Sequence, residues 1–215
     1  MYKYDKKYKF TEVWFDPFIK PWSELIPQLK SLNDVLEVGC YEGRSSIFLA
    51  NNFLNPGCNY EVIDTFGGSE VESGMENTMN RFKDDANFIE DNFRHNISFH
   101  KDINWNINKG LSQLELPKML ESGKKFDFIY IDGSHQSDDT FIDGYYAHKL
   151  LREGGLLIFD DYGWGDPKNT DRNHSPRLGI NTFKELYKSE YRDIIPNQYQ
   201  AYMQKLKTIK GTLDV

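Results

Sequence analysis

Five short apolar runs recur along this chain, and they restrict its possible folds more than any other feature of the sequence. They cover residues 34–40, 59–66, 97–102, 126–133 and 156–162. Read as strands, the runs are mostly apolar rather than alternating, and helical patterns separate them, which is typical of parallel strands buried on both faces. The pattern predicts an α/β fold with a right-handed, doubly wound, mostly parallel sheet. Residues 201–207 are predicted to add an antiparallel edge strand near the C-terminus.

The segments between the strands have helical periodicity and predict helices on both faces of the sheet. Gly154 and Gly155 are expected to end the helix that precedes the fifth strand. Residues 1–31 are predicted to form an aromatic-rich arm and a short helix, and residues 32–215 a single domain. The rings of the arm are expected to pack on the body or to form a surface of a homo-oligomer. The predicted helices cover residues 43–53, 86–96, 108–122, 137–152 and 180–191.

The charge and cysteine content exclude several classes of protein. The net charge of −7 is acidic, so nucleic acid and anionic membrane surfaces are not expected partners. No apolar run reaches the length of about 18 residues that a membrane span requires, and the first residues lack the apolar core of a signal peptide. Cys40 and Cys58 form no CxxC pair, which argues against a disulfide framework or a thiolate zinc site. A cytoplasmic protein is expected.

Residues at the carboxyl ends of the first three predicted strands outline a nucleoside-shaped ligand, because ligands of doubly wound sheets bind at that edge. Gly39 and Gly43 follow the first strand and allow close backbone approach at a helix N-terminus. The second strand ends in Asp64, where an acidic residue accepts ribose hydroxyls, and the third in Asp102, a candidate for the adenine amino group. The glycines are equally consistent with simple packing, and either aspartate with a helix cap.

Three segments, VLEVGCYEGRSS, IDGSH and GGLLIFDDY, resemble motifs of the class I S-adenosylmethionine-dependent methyltransferases. The nearest resemblance is to the branch related to macrocin O-methyltransferase and catechol O-methyltransferase, and it covers about residues 32–207. It implies a Rossmann-like methyltransferase sheet with S-adenosylmethionine as the cofactor. Asp64 is then expected at the ribose, and Asp102 with Ile103 beside the adenine. The cofactor-binding residues implied by the resemblance are Glu37, Gly39, Tyr41, Gly43, Ser45, Asp64, Thr65, Asp102, Ile103 and Asp132.

Three aspartates follow the fourth and fifth strands, which are neighbours in this topology and lie about 5 Å apart. Asp132 ends one strand, and Asp160 with Asp161 ends the other. Carboxylates this close disfavour one another's ionisation, whereas a hard cation such as Mg²⁺ prefers oxygen ligands. Similar family members bind a metal at these positions, so the three aspartates are expected to hold a divalent cation. The alternative is that one caps a turn while the others face solvent. The catechol enzyme has Asp-Asn where this chain has Asp-Asp.

His135 lies three residues after Asp132, where the resembled enzymes carry a catalytic base. Histidine suits this role because its pKa lies near neutrality, although a capping or supporting role is the alternative. The predicted function is S-adenosylmethionine-dependent, metal-assisted O-methylation of a hydroxyl on a small molecule or sugar. A metal-independent methyltransferase, an NAD-binding oxidoreductase and a non-catalytic cofactor-binding protein remain open. The insert at 67–85 and the loop at 163–177 are candidate lids for the acceptor site.

Overall fold

The computed structural model describes residues 2–68, 85–165, 171, 175–195 and 198–207. The chain forms two compact units, of which the first ends at Glu115 and the second begins at Leu116. Most of the predicted lids at 67–85 and 163–177 lies outside the described residues. Across the described part of the chain, every helix is too short or too polar to span a membrane.

The described part of the first unit contains three parallel strands in the order β3-β2-β1. The strands are β1 (Asp34–Val38), β2 (Asn59–Asp64) and β3 (Asn104–Lys109). The helices are α1 (Ile19–Leu25), α2 (Arg44–Asn52), α3 (Phe88–Ile97) and α4 (Ser112–Glu121), the last of which contains the boundary between the units. Val35, Leu36 and Val62 are fully buried, so the apolar runs of β1 and β2 form the core of this unit.

The N-terminal arm packs on α2 through its aromatic rings. The ring of Tyr2 meets Phe48 edge-on at 5.2 Å. The guanidinium of Arg44 lies 4.3 Å from the ring centre of Tyr4. The same guanidinium donates two hydrogen bonds of 2.7 Å to the carboxylate of Asp16. Arm and helix are thus joined by ring packing, a cation–π contact and a bidentate ion pair.

Among its described residues, the second unit has four strands in the order β4-β5-β7-β6. They are β4 (Phe126–Ile131), β5 (Leu151–Phe159), β6 (Tyr191–Ile195) and β7 (Ala201–Lys205). β4 and β5 are parallel, whereas β7 is antiparallel to both β5 and β6. The helices are α5 (Ser137–Leu150) and α6 (Pro176–Leu186). The antiparallel strand predicted at 201–207 is therefore present, but β6 lies outside it and forms the edge.

The third strand does not lie at the predicted position. Helix α3 continues to Ile97, whose side chain packs in the core, and β3 begins only at Asn104. Its sequence, NWNINK, contains no continuous apolar run because β3 is the edge strand of its unit and only Trp105, Ile107 and Asn108 are partly buried. The predicted strand at 97–102 is wrong for this reason.

Gly154 and Gly155 also have a different role from the one predicted. Helix α5 ends at Leu150, and both glycines lie within β5 rather than at a helix end. Gly154 has a φ of 83°, and a Cβ on Gly155 would lie 2.8 Å from the carbonyl oxygen of Asp127 on β4. The glycines allow the two strands to approach closely where their register shifts.

Candidate active site

A tight turn joins β1 to α2 and brings together several of the predicted cofactor-binding residues. Gly39, Tyr41 and Gly43 have φ angles of 80°, 51° and 78°, so three of five consecutive residues adopt the left-handed conformation. A Cβ on Gly43 would lie 2.7 Å from Cδ2 of Phe93. Glycine is therefore required at position 43 both by the backbone conformation and by the neighbouring ring.

Asp64, at the end of β2, fixes the shape of this turn. Its Oδ2 accepts hydrogen bonds from the backbone N–H of Cys40 at 2.7 Å and of Tyr41 at 2.9 Å, and its Oδ1 accepts one from Phe66 at 2.6 Å. A carboxylate offers about four acceptor positions, so Asp64 organises the turn and keeps capacity for a further donor. Thr65, the next residue, is exposed beside it.

Glu37 and Ser45 support the turn from within the core. Glu37 is fully buried, and its carboxylate accepts hydrogen bonds from the hydroxyls of Ser45, Ser46 (2.5 Å) and Tyr60 (2.7 Å). Burial raises the pKa of Glu37, and the three hydrogen bonds oppose that rise. Glu37 and Ser45 thus form a buried hydrogen-bonded group beneath the backbone of the turn, and their predicted role in cofactor binding stays a prediction.

The N-terminal arm contacts the same turn, which the sequence did not reveal. The backbone N–H of Thr11 donates to Oε2 of Glu42 at 2.5 Å, and the Thr11 and Tyr41 hydroxyls lie 3.2 Å apart. The ring of Trp14 packs against that of Tyr41 at 5.2 Å and is half exposed. The abundance of rings in the arm was the only available signal, and it did not indicate which residue each ring contacts.

Asp102 and Ile103 lie away from these residues. They precede β3, and the carbonyl of Asp102 accepts a hydrogen bond of 2.6 Å from Gly57, which precedes β2. Asp64 instead pairs in register with Lys109 at the other end of β3. The prediction that Asp102 and Ile103 flank the adenine is therefore wrong, because it depended on a strand placed too early in the sequence.

In the second unit, the acidic residues follow their strands as predicted from the sequence. Asp132 follows β4, while Asp160 and Asp161 follow β5. Asp132, His135 and Asp161 each offer one potential ligand atom, and these atoms all lie within 4.8 Å of one another. Carboxylate oxygens and an imidazole at this spacing are compatible with a divalent cation.

His135 and Asp161 form a close pair. Nε2 of His135 lies 2.5 Å from Oδ2 of Asp161, and the ring of Trp164 stacks on the imidazole at 4.9 Å with an interplanar angle of 23°. Asp161 has a φ of 55°, an uncommon conformation for a residue with a side chain. The carboxylate orients the imidazole, and the face of the Trp164 ring covers it. The arrangement is suited to accepting a proton.

Asp160 is more enclosed than its neighbours. Its carboxylate accepts hydrogen bonds from the hydroxyl of Tyr130 and, at 2.8 Å, from the backbone N–H of Asp161. Burial, followed by the charge of Asp161, raises the pKa of Asp160 to about 6. Tyr130 was not identified from the sequence, because within a continuously apolar strand it is indistinguishable from the other core residues.

Comparison with known proteins identifies a family and a fold. Residues 36–162 match the model of a family described as a methyltransferase domain. No curated protein sequence matches the chain. Among solved structures, the O-methyltransferase TomG from Streptomyces achromogenes, determined with SAM, is 17% identical with a TM-score of 0.62. The match covers 91% of this chain and 82% of TomG.

Two further structures are similar. An O-methyltransferase from Bacillus cereus, determined with SAH, is 22% identical with a TM-score of 0.58, and the match covers 93% of this chain and 84% of that one. The methyltransferase MycE of the mycinamycin biosynthetic pathway, determined with Mg, SAH and mycinamycin VI, is 16% identical with a TM-score of 0.56. That match covers 95% of this chain and 52% of MycE. These likenesses confirm the predicted Rossmann-like fold.

Proposed function

The chain belongs to the methyltransferase-domain family, and we propose that it is an S-adenosylmethionine-dependent O-methyltransferase acting on a hydroxyl of a small molecule or sugar. One observation carries this proposal: His135 pairs with Asp161 beside Asp132, at the carboxyl ends of two parallel strands. Such a group can remove a proton from a hydroxyl, which an oxygen nucleophile requires. Family membership also disfavours the NAD-dependent oxidoreductase.

The first unit supplies residues that fit the cofactor. The left-handed turn at Gly39, Tyr41 and Gly43 allows close backbone approach, and Asp64 with Thr65 is assigned to the ribose hydroxyls. When bound, S-adenosylmethionine supplies an electrophilic methyl group. Leu111 lies just after β3, and its apolar side chain is 54% exposed. We therefore assign Leu111, instead of Asp102 and Ile103, to the adenine face.

The second unit supplies residues that fit a divalent cation, for which Mg²⁺ is the leading candidate. Asp132, Asp160 and Asp161 are assigned to it because carboxylates are the hard oxygen ligands that this ion prefers, and of the three, Asp132 and Asp161 have potential ligand atoms within 4.8 Å of each other. When bound, such a cation offsets the carboxylate charges and lowers the pKa of a hydroxyl that it contacts. The presence of Mg in the MycE structure supports this assignment.

His135 is assigned as the catalytic base. Asp161 and Trp164 hold its imidazole in one orientation. His135 accepts the hydroxyl proton, and the acceptor oxygen forms a bond to the methyl carbon while the carbon–sulfur bond breaks. The products are a methyl ether and S-adenosylhomocysteine, and the imidazolium returns its proton to solvent.

The test combines a transfer assay with a binding assay. The protein is incubated with S-adenosylmethionine, Mg²⁺ and a panel of sugar and diol acceptors, and release of S-adenosylhomocysteine is measured. His135→Ala is expected to lower turnover at least about 100-fold while S-adenosylhomocysteine affinity, measured by calorimetry, stays unchanged. Gln136→Ala, an exposed neighbour in the same loop, is the matched control and should keep both properties.

Three results would change the proposal. Wild-type turnover by His135→Ala on a proven acceptor would exclude it as the base. Activity that survives exhaustive chelation would favour the metal-independent methyltransferase. Tight S-adenosylhomocysteine binding without transfer to any acceptor in the panel would favour a cofactor-binding protein without catalysis.

A further inference from the structure

The hydroxyl of Tyr130 lies between two carboxylates of the candidate active site. It donates a hydrogen bond to Oδ2 of Asp160 and lies 3.0 Å from Oδ2 of Asp132. Tyr130 is on β4, two residues before Asp132, and its side chain is 1% exposed. A phenol has one hydrogen, so it can donate fully to only one of these carboxylates at a time.

Two further buried side chains fix the direction of that hydrogen. The hydroxyl of Tyr202 donates to Oε1 of Gln200 at 2.7 Å, which orients the amide. Nε2 of Gln200 then points its hydrogen towards the oxygen of Tyr130 at 3.4 Å. Gln200 and Tyr202 are each 1% exposed, so water does not compete for these contacts. Because the Tyr130 oxygen faces a donor on one side, its own hydrogen is directed to the carboxylates on the other.

We propose that Tyr130 is a positioning residue of the metal site, which holds Asp132 and Asp160 in orientation through the buried series Tyr202, Gln200 and Tyr130. The inference rests on the proposed function, because it assumes that these carboxylates bind a cation. Without a donor between them, the two like charges repel and their side chains rotate apart. Groups that hydrogen-bond to metal ligands in this way commonly change metal affinity 10- to 100-fold, as an order of magnitude.

The test measures Mn²⁺ binding by electron paramagnetic resonance, in the presence of S-adenosylhomocysteine. Tyr130→Phe removes only the hydroxyl and keeps the buried ring. We expect its Kd for Mn²⁺ to rise by about tenfold or more, and that of Tyr202→Phe to rise by a smaller factor. Tyr191→Phe is the matched control, because Tyr191 is a buried strand tyrosine of the same unit whose hydroxyl meets His148 at 3.3 Å. Its Mn²⁺ affinity should match that of the wild type.

The outcomes separate this inference from the function on which it rests. If the wild type binds Mn²⁺ and a folded Tyr130→Phe binds it equally or more tightly, Tyr130 has only a packing role and the inference is wrong. If the wild type binds no Mn²⁺, the metal assignment itself fails, and the inference with it. If Tyr130→Phe does not fold, the Mn²⁺ affinities of Tyr202→Phe and Tyr191→Phe are compared instead. Weaker binding by Tyr202→Phe than by Tyr191→Phe supports the inference, and equal binding contradicts it, because the two differ only if the buried series orients the carboxylates.

Discussion

Replacing Gly43 with alanine tests whether the turn after β1 depends on a residue without a side chain. Gly43 has a φ of 78°, and its added Cβ would lie 2.7 Å from Cδ2 and 3.0 Å from Cε2 of Phe93. The Phe93 ring is fully buried and packs against Phe66 at 5.6 Å and Trp105 at 6.4 Å. The ring therefore cannot move aside without disturbing its neighbours.

A backbone cost and a steric cost add at Gly43, and the same substitution at a second glycine allows the two to be measured separately. A left-handed conformation costs an alanine about 1–2 kcal/mol, and forcing extra atoms into a packed core costs about 1–3 kcal/mol more. Gly57 has a φ of 86°, but no atom lies within 4 Å of its added Cβ. Gly57→Ala should therefore show the backbone cost alone, and Gly43→Ala both costs, or roughly 2–5 kcal/mol.

Urea unfolding followed by circular dichroism measures both variants. We expect Gly43→Ala to be less stable than Gly57→Ala by at least about 1 kcal/mol, the lower bound for the overpacking cost. Gly43→Ala should cost less in a Phe93→Leu background than in the wild type, because the smaller side chain relieves the contact. Equal stabilities for the two alanine variants would refute the steric argument. Gly43→Ala should also weaken S-adenosylhomocysteine binding, since the turn must shift.

Three further changes test other parts of the structure. Burial, and then the charges of three nearby lysines, lower the pKa of His148 to about 4. The contribution of neutral His148 to the free energy of unfolding is therefore fully present above the unfolded pKa of about 6.5. It decreases as the pH falls towards 4, by about 2 kcal/mol at pH 5. Urea unfolding at pH 7.5 and pH 5 should show this loss in the wild type but not in His148→Asn, and equal losses would contradict it. Glu37→Ala leaves three buried hydroxyls without their acceptor, so thermal unfolding should report a loss of about 3 kcal/mol or more. Arg44→Lys keeps the charge but loses the bidentate pair with Asp16, and a loss of about 1 kcal/mol is expected by the same assay. Wild-type stability in either variant would show that the contact does not stabilise the fold.

The apolar runs predicted four of the seven strands in the described residues, because those four strands are buried on both faces. β1, β2, β4 and β5 all contain consecutive buried residues. β3 was not predicted because an edge strand needs no continuous apolar run. Its asparagine side chains form hydrogen bonds with the neighbouring strand instead, as Asn108 does with Glu61 on β2 at 3.0 Å. β6 was not predicted because the predicted helix at 180–191 extended into its first residue. The actual helix, α6, begins at Pro176, a favourable first residue, and ends at Leu186.

The candidate site was predictable where strand ends determine it. Asp64 could be placed because it ends β2, and Asp132 and Asp160 because they directly follow β4 and β5, two parallel strands of the second unit that end at a common edge. Contacts that depend on the strand register between distant segments could not be predicted from the sequence. Gln200, for example, lies in a polar stretch with no periodicity, and only the pairing of β7 with β5 brings it to Tyr130.

The position of β7 has a consequence for the order in which the second unit folds. β7 lies between β5 and β6, although it follows both in the chain. A short connection joins β6 to β7, whereas β5 is far earlier in the sequence, so loop-closure entropy favours formation of the β6–β7 hairpin before it docks on β5. Gln200 and Tyr202 arrive with that hairpin. A nascent chain that has formed only β4 and β5 therefore has the Tyr130 hydroxyl beside Asp132 and Asp160 but lacks Gln200 and Tyr202, so the direction of the Tyr130 hydroxyl hydrogen is fixed late in folding.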